Sequence, residues 1–330
     1  MPDHMTPRTP SPEAPVWLIG AGPMAVAYAA VLQALSVPFE VIGRGERSAQ
    51  SFREATGVEV RTGGLSAWVS RGLDAPRAAI VAVGVDRLAE VVHSLIGCGV
   101  PNVLVEKPGG LDEREIATVA EAARASGVRV HVGYNRRFYA STRAAREIIE
   151  EDGGVSSFSF EFTEWSHVIA DSPQPEAVKR AWLLANSSHV IDLAFHLGGW
   201  PDEMVCFKKG TLDWHPDGAA FTGAGSSGEA LFSYSADWAA PGRWGVEILT
   251  PKRRLILRPM EQLQVQKIGS VAIEPVDIDG ELDARFKPGI YRQTEAFLSG
   301  DHGDLVPLAR QLEHVRDYHT KILHGGGAHG

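Results

Sequence analysis

Apolar positions along the chain follow two regimes. From residue 16, short continuous apolar runs (VWLIG at 16–20, FEVIG at 39–43, AAIVAV at 78–83, NVLVE at 102–106 and VRVHVGY at 128–134) alternate with stretches of helical periodicity. The helical stretches run to about Leu35, through ERSAQSFREATG, and over about 86–97 and 112–125. Runs this short suit strands buried on both faces, and their alternation with helices predicts a doubly wound parallel sheet, α/β in class, with ligands outside the carboxyl ends of the strands. The second half reads differently. GGVSSFSFEFTEWS at 153–166, GEALFSYSADW, WGVEILTPKRRLILRP and QLQVQKI are strand-like segments with turn signals between them, which predicts an α+β domain. A last helix is expected at about 304–323.

The first strand runs directly into GAGPMA, residues 20–25, a match to G-x-G-x-x-G/A with Ala25 in the third place. Gly20 permits a tight turn, Gly22 lets backbone approach a pyrophosphate, and Ala25 is small enough for helix to pack on strand. Pro23 suits a first helical position, where its missing N–H has no partner to lose. Gly20, Gly22, Pro23, Met24 and Ala25 therefore form a candidate dinucleotide turn in a Rossmann domain, although a plain strand-to-helix turn also wants small residues. After the second strand the sequence is VIGRGERS. The acid that would hold ribose hydroxyls is absent at Gly43, while Arg44, with Arg47 and Ser48, can form an anion pocket. This favours NADP over NAD, with Glu46 the residue that complicates the reading.

Composition narrows the class. The 330 residues are 44% hydrophobic and 22% charged, which suits a globular chain long enough for two domains. A formal charge of −9 with scattered Lys and Arg argues against a nucleic-acid surface. Cys98 and Cys206 are the only cysteines, too far apart for a disulfide framework or a cysteine metal site, so a reducing cytoplasm fits best. No apolar run is long enough to span a membrane. The Pro-rich residues 1–14 read as a disordered tail, 15–135 as the dinucleotide-binding domain, and 136–330 as a substrate and oligomerisation domain whose last helices are free to pack back on the first.

Three further motifs carry chemistry. In LVEKPGG, Glu106, Lys107 and Pro108 stand at the carboxyl end of a parallel strand; there Lys107 is an acid/base candidate, because burial and neighbouring cations lower a lysine pKa, or else it pairs with Glu106 on a loop. GYNRRF supplies Tyr134, Arg136 and Arg137; the two arginines could meet a substrate phosphate or carboxylate, as in a nucleotide-linked sugar, or form internal salt bridges. WLLANSSHVIDLAFHLGG, residues 182–199, places His189, Asp192 and His196 near one face of an apolar helix. Asn186-Ser187-Ser188 reads as its start, which would set His189 in the first turn, kept neutral by the positive helix end. A metal bound by all three is excluded, since i, i+3 and i+7 span about 10 Å of rise. Glu164, Trp165 and His167, and Lys179 with Trp182, flank possible cleft surfaces.

GAGPMA, EKPGG, GYNRRF and HVIDL together resemble the glucose–fructose oxidoreductase, inositol dehydrogenase and rhizopine catabolism family, written Gfo/Idh/MocA, over essentially everything after the tail. The resemblance implies an N-terminal Rossmann fold, a C-terminal open, mostly antiparallel sheet, and a homodimer or homotetramer. It implies hydride transfer between a nicotinamide and a carbinol or ketone carbon of a sugar, inositol or nucleotide-linked sugar. It also assigns Lys107 and His189 as catalytic, makes Pro108 a candidate cis residue, counts Glu106 and Lys107 with the cofactor site, and offers Tyr291 as a cleft residue. The motifs themselves set Tyr134, Arg136, Arg137, Trp165 and Asn186 toward substrate, with Asp192 a further substrate candidate or, one turn deeper, a structural partner. One departure stands out: the family's first Asp before the helix falls on Ala185, leaving Asn186 as a possible substitute. A dinucleotide-binding regulator without turnover and a redox glycosidase are the competing readings.

Overall fold

The computed structural model describes residues 11, 13–70 and 75–326. Of the expected disordered tail, all but residues 11, 13 and 14 lie outside them. The chain forms two compact units, one built from the described residues up to Gly133 together with Ile290–Leu312, the other from Tyr134–Gly289 and the described residues from Glu313 onwards.

In the first unit β1 (Val16–Ile19), β2 (Phe39–Ile42), β3 (Val60–Arg61), β4 (Ala78–Val81), β5 (Asn102–Glu106) and β6 (Arg129–Gly133) form a parallel sheet in the order β6-β5-β4-β1-β2-β3. This is the Rossmann order, with the crevice at the β1–β4 reversal. Every residue of β1 and β4 is buried, which is why both are unbroken apolar runs. β3 has two residues and escapes periodicity altogether. The helix Glu113–Ser126 shows how local signals set the boundaries: Asp112 accepts from the Glu115 amide at 2.8 Å, Gly127 closes the end at φ 66°, and Ile116, Val119 and Ala123 face the interior. The helix expected at 304–323 begins later, at Leu308. Val306–Pro307 joins the sheet instead, antiparallel to β6, with Val306 opposite Val132.

The second unit holds β7 (Ser157–Glu161), β8 (Glu203–Lys209), β9 (Ala220–Ser227), β10 (Ala230–Asp237), β11 (Gly245–Leu249), β12 (Arg253–Leu257), β13 (Gln264–Lys267) and β14 (Glu274–Pro275). Their order is β14-β13-β12-β11-β7-β10-β9-β8, antiparallel except for β7 beside β10. One face packs on the helix Ser188–Gly198: Phe195 lies 5.3 Å from Phe232 and 6.0 Å from Phe158, ring to ring. Gly198 permits this approach, since a Cβ there would come within 2.5 Å of the Phe158 ring. On the opposite face Val205, Phe207 and Leu231 are exposed.

β8 and β9 were not anticipated. β9, AFTGAGSS, lacks strand propensity because its glycines lie under aromatic rings: a Cβ on Gly223 would meet Tyr234 at 2.5 Å, and one on Gly225 would meet Phe232 at 2.7 Å. β8 carries charge and exposed apolar residues together, which blurs its alternation.

Candidate functional site

In the first unit, β1 ends at Gly20, whose φ of 125° and whose distance from the Ala82 carbonyl, 2.2 Å from a would-be Cβ, allow only glycine. Gly22 is the N-cap of the helix Pro23–Ala34; no side chain caps it, and a Cβ on Gly22 would meet nothing within 4 Å. Pro23 is the first helical residue, Met24 is half-buried and Ala25 is fully buried against the sheet. A helix start with free backbone donors and open space before it is chemically suited to a phosphate group.

After β2, Gly43 has no room for a side chain, because its Cβ would lie 2.8 Å from Val60. Arg44, Arg47 and Ser48 are exposed around the start of the helix Glu46–Thr56, and Ser48 Oγ donates to the Gly45 carbonyl at 2.9 Å. Glu46 accepts from Thr62 Oγ1 at 2.6 Å, so its carboxylate is engaged on the β3 side.

At the end of β5 the Lys107–Pro108 peptide is cis. Glu106 Oε1 accepts from the buried Tyr28 hydroxyl at 2.7 Å, and Gln293 Nε2 donates to that hydroxyl at 2.8 Å. Burial, then the Glu106 charge, push the Tyr28 phenol well above its ordinary range, so it stays a neutral donor. Neither Tyr28 nor Gln293 was singled out in the sequence; each stands on a helix far from EKP along the chain, and no local pattern links them. Tyr291, half-buried, sits in the first turn of the helix Ile290–Ser299 of this unit.

In the second unit His189, 8% exposed, has the ring centres of Tyr134 and Trp244 each 6.2 Å away. The helix does not start at Asn186-Ser187-Ser188. A π-helical turn, Leu183–Ser187, runs straight into Ser188–Gly198, so His189 is not at a free positive end. The physical reason is Glu164. Its buried carboxylate accepts from Ser187 Oγ at 2.7 Å and from Asn186 Nδ2 at 3.0 Å, drawing both side chains away from capping. Burial raises the Glu164 carboxyl above its usual range, with Ser187, Asn186 and Arg243 pulling the other way. Ala185 is buried inside the π turn.

Arg137 and Asp192 are committed to each other. Arg137 Nε and Nη2 donate to the two carboxylate oxygens at 2.8 and 2.6 Å, with the side chains 7% and 1% exposed. This bidentate pair matches the salt-bridge alternative for Arg137. Arg136 has its guanidinium 5.0 Å from the Trp244 ring centre and 5.9 Å from that of Tyr139. Burial, then Arg137 and Arg146, depress the His196 pKa well below its ordinary value. Among the described residues no three His, Cys, Asp or Glu side chains converge as metal ligands. Trp165, 51% exposed, lines a cavity of about 710 Å³ with Glu164 and His167 and with Asp213, Trp214 and Trp238, three residues that sequence reading did not bring there. Lys179 Nζ donates to the Ala170 carbonyl at 2.6 Å, and Trp182 packs edge-on to Trp214.

Residues 15–134 match the model of an oxidoreductase family with an NAD-binding Rossmann fold, GFO_IDH_MocA. No curated protein matches the chain in sequence. In fold it is similar to an oxidoreductase from Agrobacterium radiobacter bound to NAD+, L-tartaric acid and magnesium (16% identity, TM-score 0.72, covering 91% of this chain and 93% of that one). It is also similar to UDP-N-acetylglucosamine 3-dehydrogenase from Acidithiobacillus ferrooxidans (14%, TM-score 0.72, 94% and 96%) and to levoglucosan dehydrogenase bound to NADH (18%, TM-score 0.72, 91% and 93%).

Proposed function

Because residues 15–134 match the Gfo/Idh/MocA oxidoreductase model, we propose that the chain is a member of that family and an NADP-preferring dehydrogenase acting on a CH–OH group of a sugar-like substrate. The observation that carries the reading is the turn Gly20–Pro23: a glycine that only glycine can be, then open space in front of an uncapped helix N-terminus. When bound, the nicotinamide supplies the hydride chemistry. The chain's own part is to bind, orient and handle the proton. Gly22 and the first amides of the helix Pro23–Ala34 would hold the pyrophosphate, and Arg44 with Ser48 would take the 2′-phosphate. The side-chain-free Gly43 supports NADP, since no carboxylate can stand there to receive ribose hydroxyls.

Lys107 and His189 are the groups assigned to the substrate hydroxyl proton. Glu106, which precedes Lys107 in the chain, is fixed by the Tyr28 hydroxyl. The Tyr134 and Trp244 rings neighbour the His189 ring. Dehydrogenase structures of the same fold have names that specify sugars, levoglucosan and UDP-N-acetylglucosamine, which supports a sugar as substrate. The exposed Val205, Phe207 and Leu231 on the outer sheet face support a second copy of the chain as partner. Among the described residues no helix is long and apolar enough to cross a membrane, and both cysteines are free thiols, which supports a reducing compartment such as the cytoplasm.

The test is a fluorescence titration of the full chain with NADPH and with NADH, in the wild type and in Arg44→Ala. Tighter binding of NADPH that disappears in Arg44→Ala is the expected outcome. Equal binding of both nucleotides by both proteins would overturn the NADP assignment, and binding of neither would overturn the oxidoreductase reading itself.

A further inference from the structure

The cavity of the second unit differs from an ordinary core defect in its walls. Trp165, Trp214 and Trp238 come from three separate segments: the residues just after β7, the turn before β9 and the end of β10. Each is held in place. The Trp214 and Trp238 rings stack at 7° with centres 5.5 Å apart, and Trp214 Nε1 donates to Ser166 Oγ at 2.9 Å. Trp165 Nε1 donates to the Gly242 carbonyl at 3.3 Å while the Arg243 guanidinium lies 4.7 Å from its ring centre. Trp238, 1% exposed, backs Trp214, which Trp182 also meets edge-on, so the open indole surface is that of the half-exposed Trp165 and the accessible part of Trp214. Such rings suit the C–H faces of a sugar ring, which are apolar, while its hydroxyls need acceptors.

The acceptors are Glu164 and Asp213, with Ser166 and His167 as the other polar side chains of the lining. Glu164 is 3% exposed; Ser187 donates to one oxygen, Asn186 reaches both and Trp182 is a third side-chain donor, against about four acceptor positions on a carboxylate. Glu164 lines a cavity of about 710 Å³, inside the roughly 300–1,000 Å³ range of small-ligand sites. Glu164 also stands against the π turn that contains Ala185, so the carboxylate that residue 185 lacks is brought to the same turn from the end of β7. The two arginines that would have favoured a phosphorylated or nucleotide-linked ligand are engaged elsewhere in the unit, Arg137 with Asp192 and Arg136 on the Trp244 ring.

We propose that this tryptophan-walled cavity binds an uncharged or amino-bearing sugar ring, with Glu164 accepting a ring hydroxyl or ammonium and, together with Asp213, rejecting anionic sugars. The inference rests on the dehydrogenase reading for its connection to a reaction, but the binding it describes needs no nucleotide. Like-charge exclusion is as much a part of its specificity as the stacking.

The experiment is calorimetric and tryptophan-fluorescence titration of the full chain, without nucleotide, using the methyl pyranosides of glucose, galactose and mannose, the matching 2-amino sugars, and the matching uronates. At least one neutral or amino sugar should bind, and each uronate should bind at least about tenfold more weakly than its neutral parent. Trp165→Ala, at an exposed position that leaves the core intact, should weaken binding about tenfold or more. Glu164→Gln, checked for native circular dichroism, should narrow the gap between uronate and neutral sugar. Uronates binding as tightly as their neutral parents, unchanged affinity in Trp165→Ala, or no binding by any member of the panel would each overturn the proposal. NADPH titration of the same samples separates the two readings: nucleotide binding without sugar binding refutes the cavity assignment alone, and sugar binding without nucleotide binding refutes the dehydrogenase reading alone.

Discussion

Replacing Gly22 with alanine separates a nucleotide site from a structural turn. The residue sits at φ −92° and ψ −175°, a conformation open to alanine, and the added methyl would touch nothing within 4 Å. Folding should therefore change by no more than about 1 kcal/mol: an alanine N-cap is slightly worse than glycine, while the unfolded chain loses some freedom. If the open space is where the pyrophosphate lies, the methyl pushes it off the helix amides. Losing one charge-assisted hydrogen bond costs about 1.5–3 kcal/mol, or roughly 13- to 160-fold in affinity. Gly20→Ala is the contrasting control, because its methyl would lie 2.2 Å from the Ala82 carbonyl and its φ is 125°. That variant should lose fold and binding together. The assay is NADPH titration paired with urea denaturation. A Gly22→Ala protein of unchanged stability that binds NADPH like the wild type would refute the reasoning, and would reduce GAGPMA to a tight turn.

Other outcomes follow from buried charge and from the open sheet face. Asp192→Ala strands the Arg137 guanidinium in the interior and should cost about 3–5 kcal/mol by urea unfolding, with the Asp192→Ala/Arg137→Met double variant recovering part of the loss. His131, packed edge-on to His302, has its pKa depressed to about 4, first by burial and then by the charges of His302 and Arg129. The folded ring stays neutral where the unfolded one takes up a proton, so this contribution is complete above about pH 6.5 and is lost as pH falls toward 4, a change of about 3 kcal/mol. His131→Phe should flatten the stability profile across that window; an unchanged slope would remove His131 as its source. Phe207→Glu, on the exposed face of β8, should shift any oligomer toward monomer in sedimentation velocity while leaving NADPH affinity unchanged.

Much of the first unit was legible because its signals are local. β1, β2, β4, β5 and β6 are continuous apolar runs, Gly20 and Pro23 mark the turn and the helix start, and Asp112 with Gly127 brackets a helix by capping alone. The second unit hides its logic in partners far along the chain. The glycines of β9 make sense only beneath the rings of β10, and the two-residue strand Val306–Pro307 exists only because β6 offers it an edge. At the candidate site, Asn186-Ser187-Ser188 has the chemistry of a helix cap, and the carboxylate that engages it belongs to Glu164, 22 residues earlier than Asn186. Trp214 and Trp238 carry no spacing that ties them to Trp165; only the folded sheet makes them walls of one cavity.

The most direct test of hydride transfer as the activity is the accumulation of reduced nucleotide, read by its ultraviolet absorbance, when the protein is mixed with NADP+ and the neutral and amino sugars. The wild type should reduce NADP+ with at least one of them. Lys107→Met should bind NADPH as before and reduce none. Reduction by Lys107→Met at the wild-type rate would contradict the assignment of Lys107, and sugar cleavage without any reduced nucleotide would contradict the dehydrogenase reading.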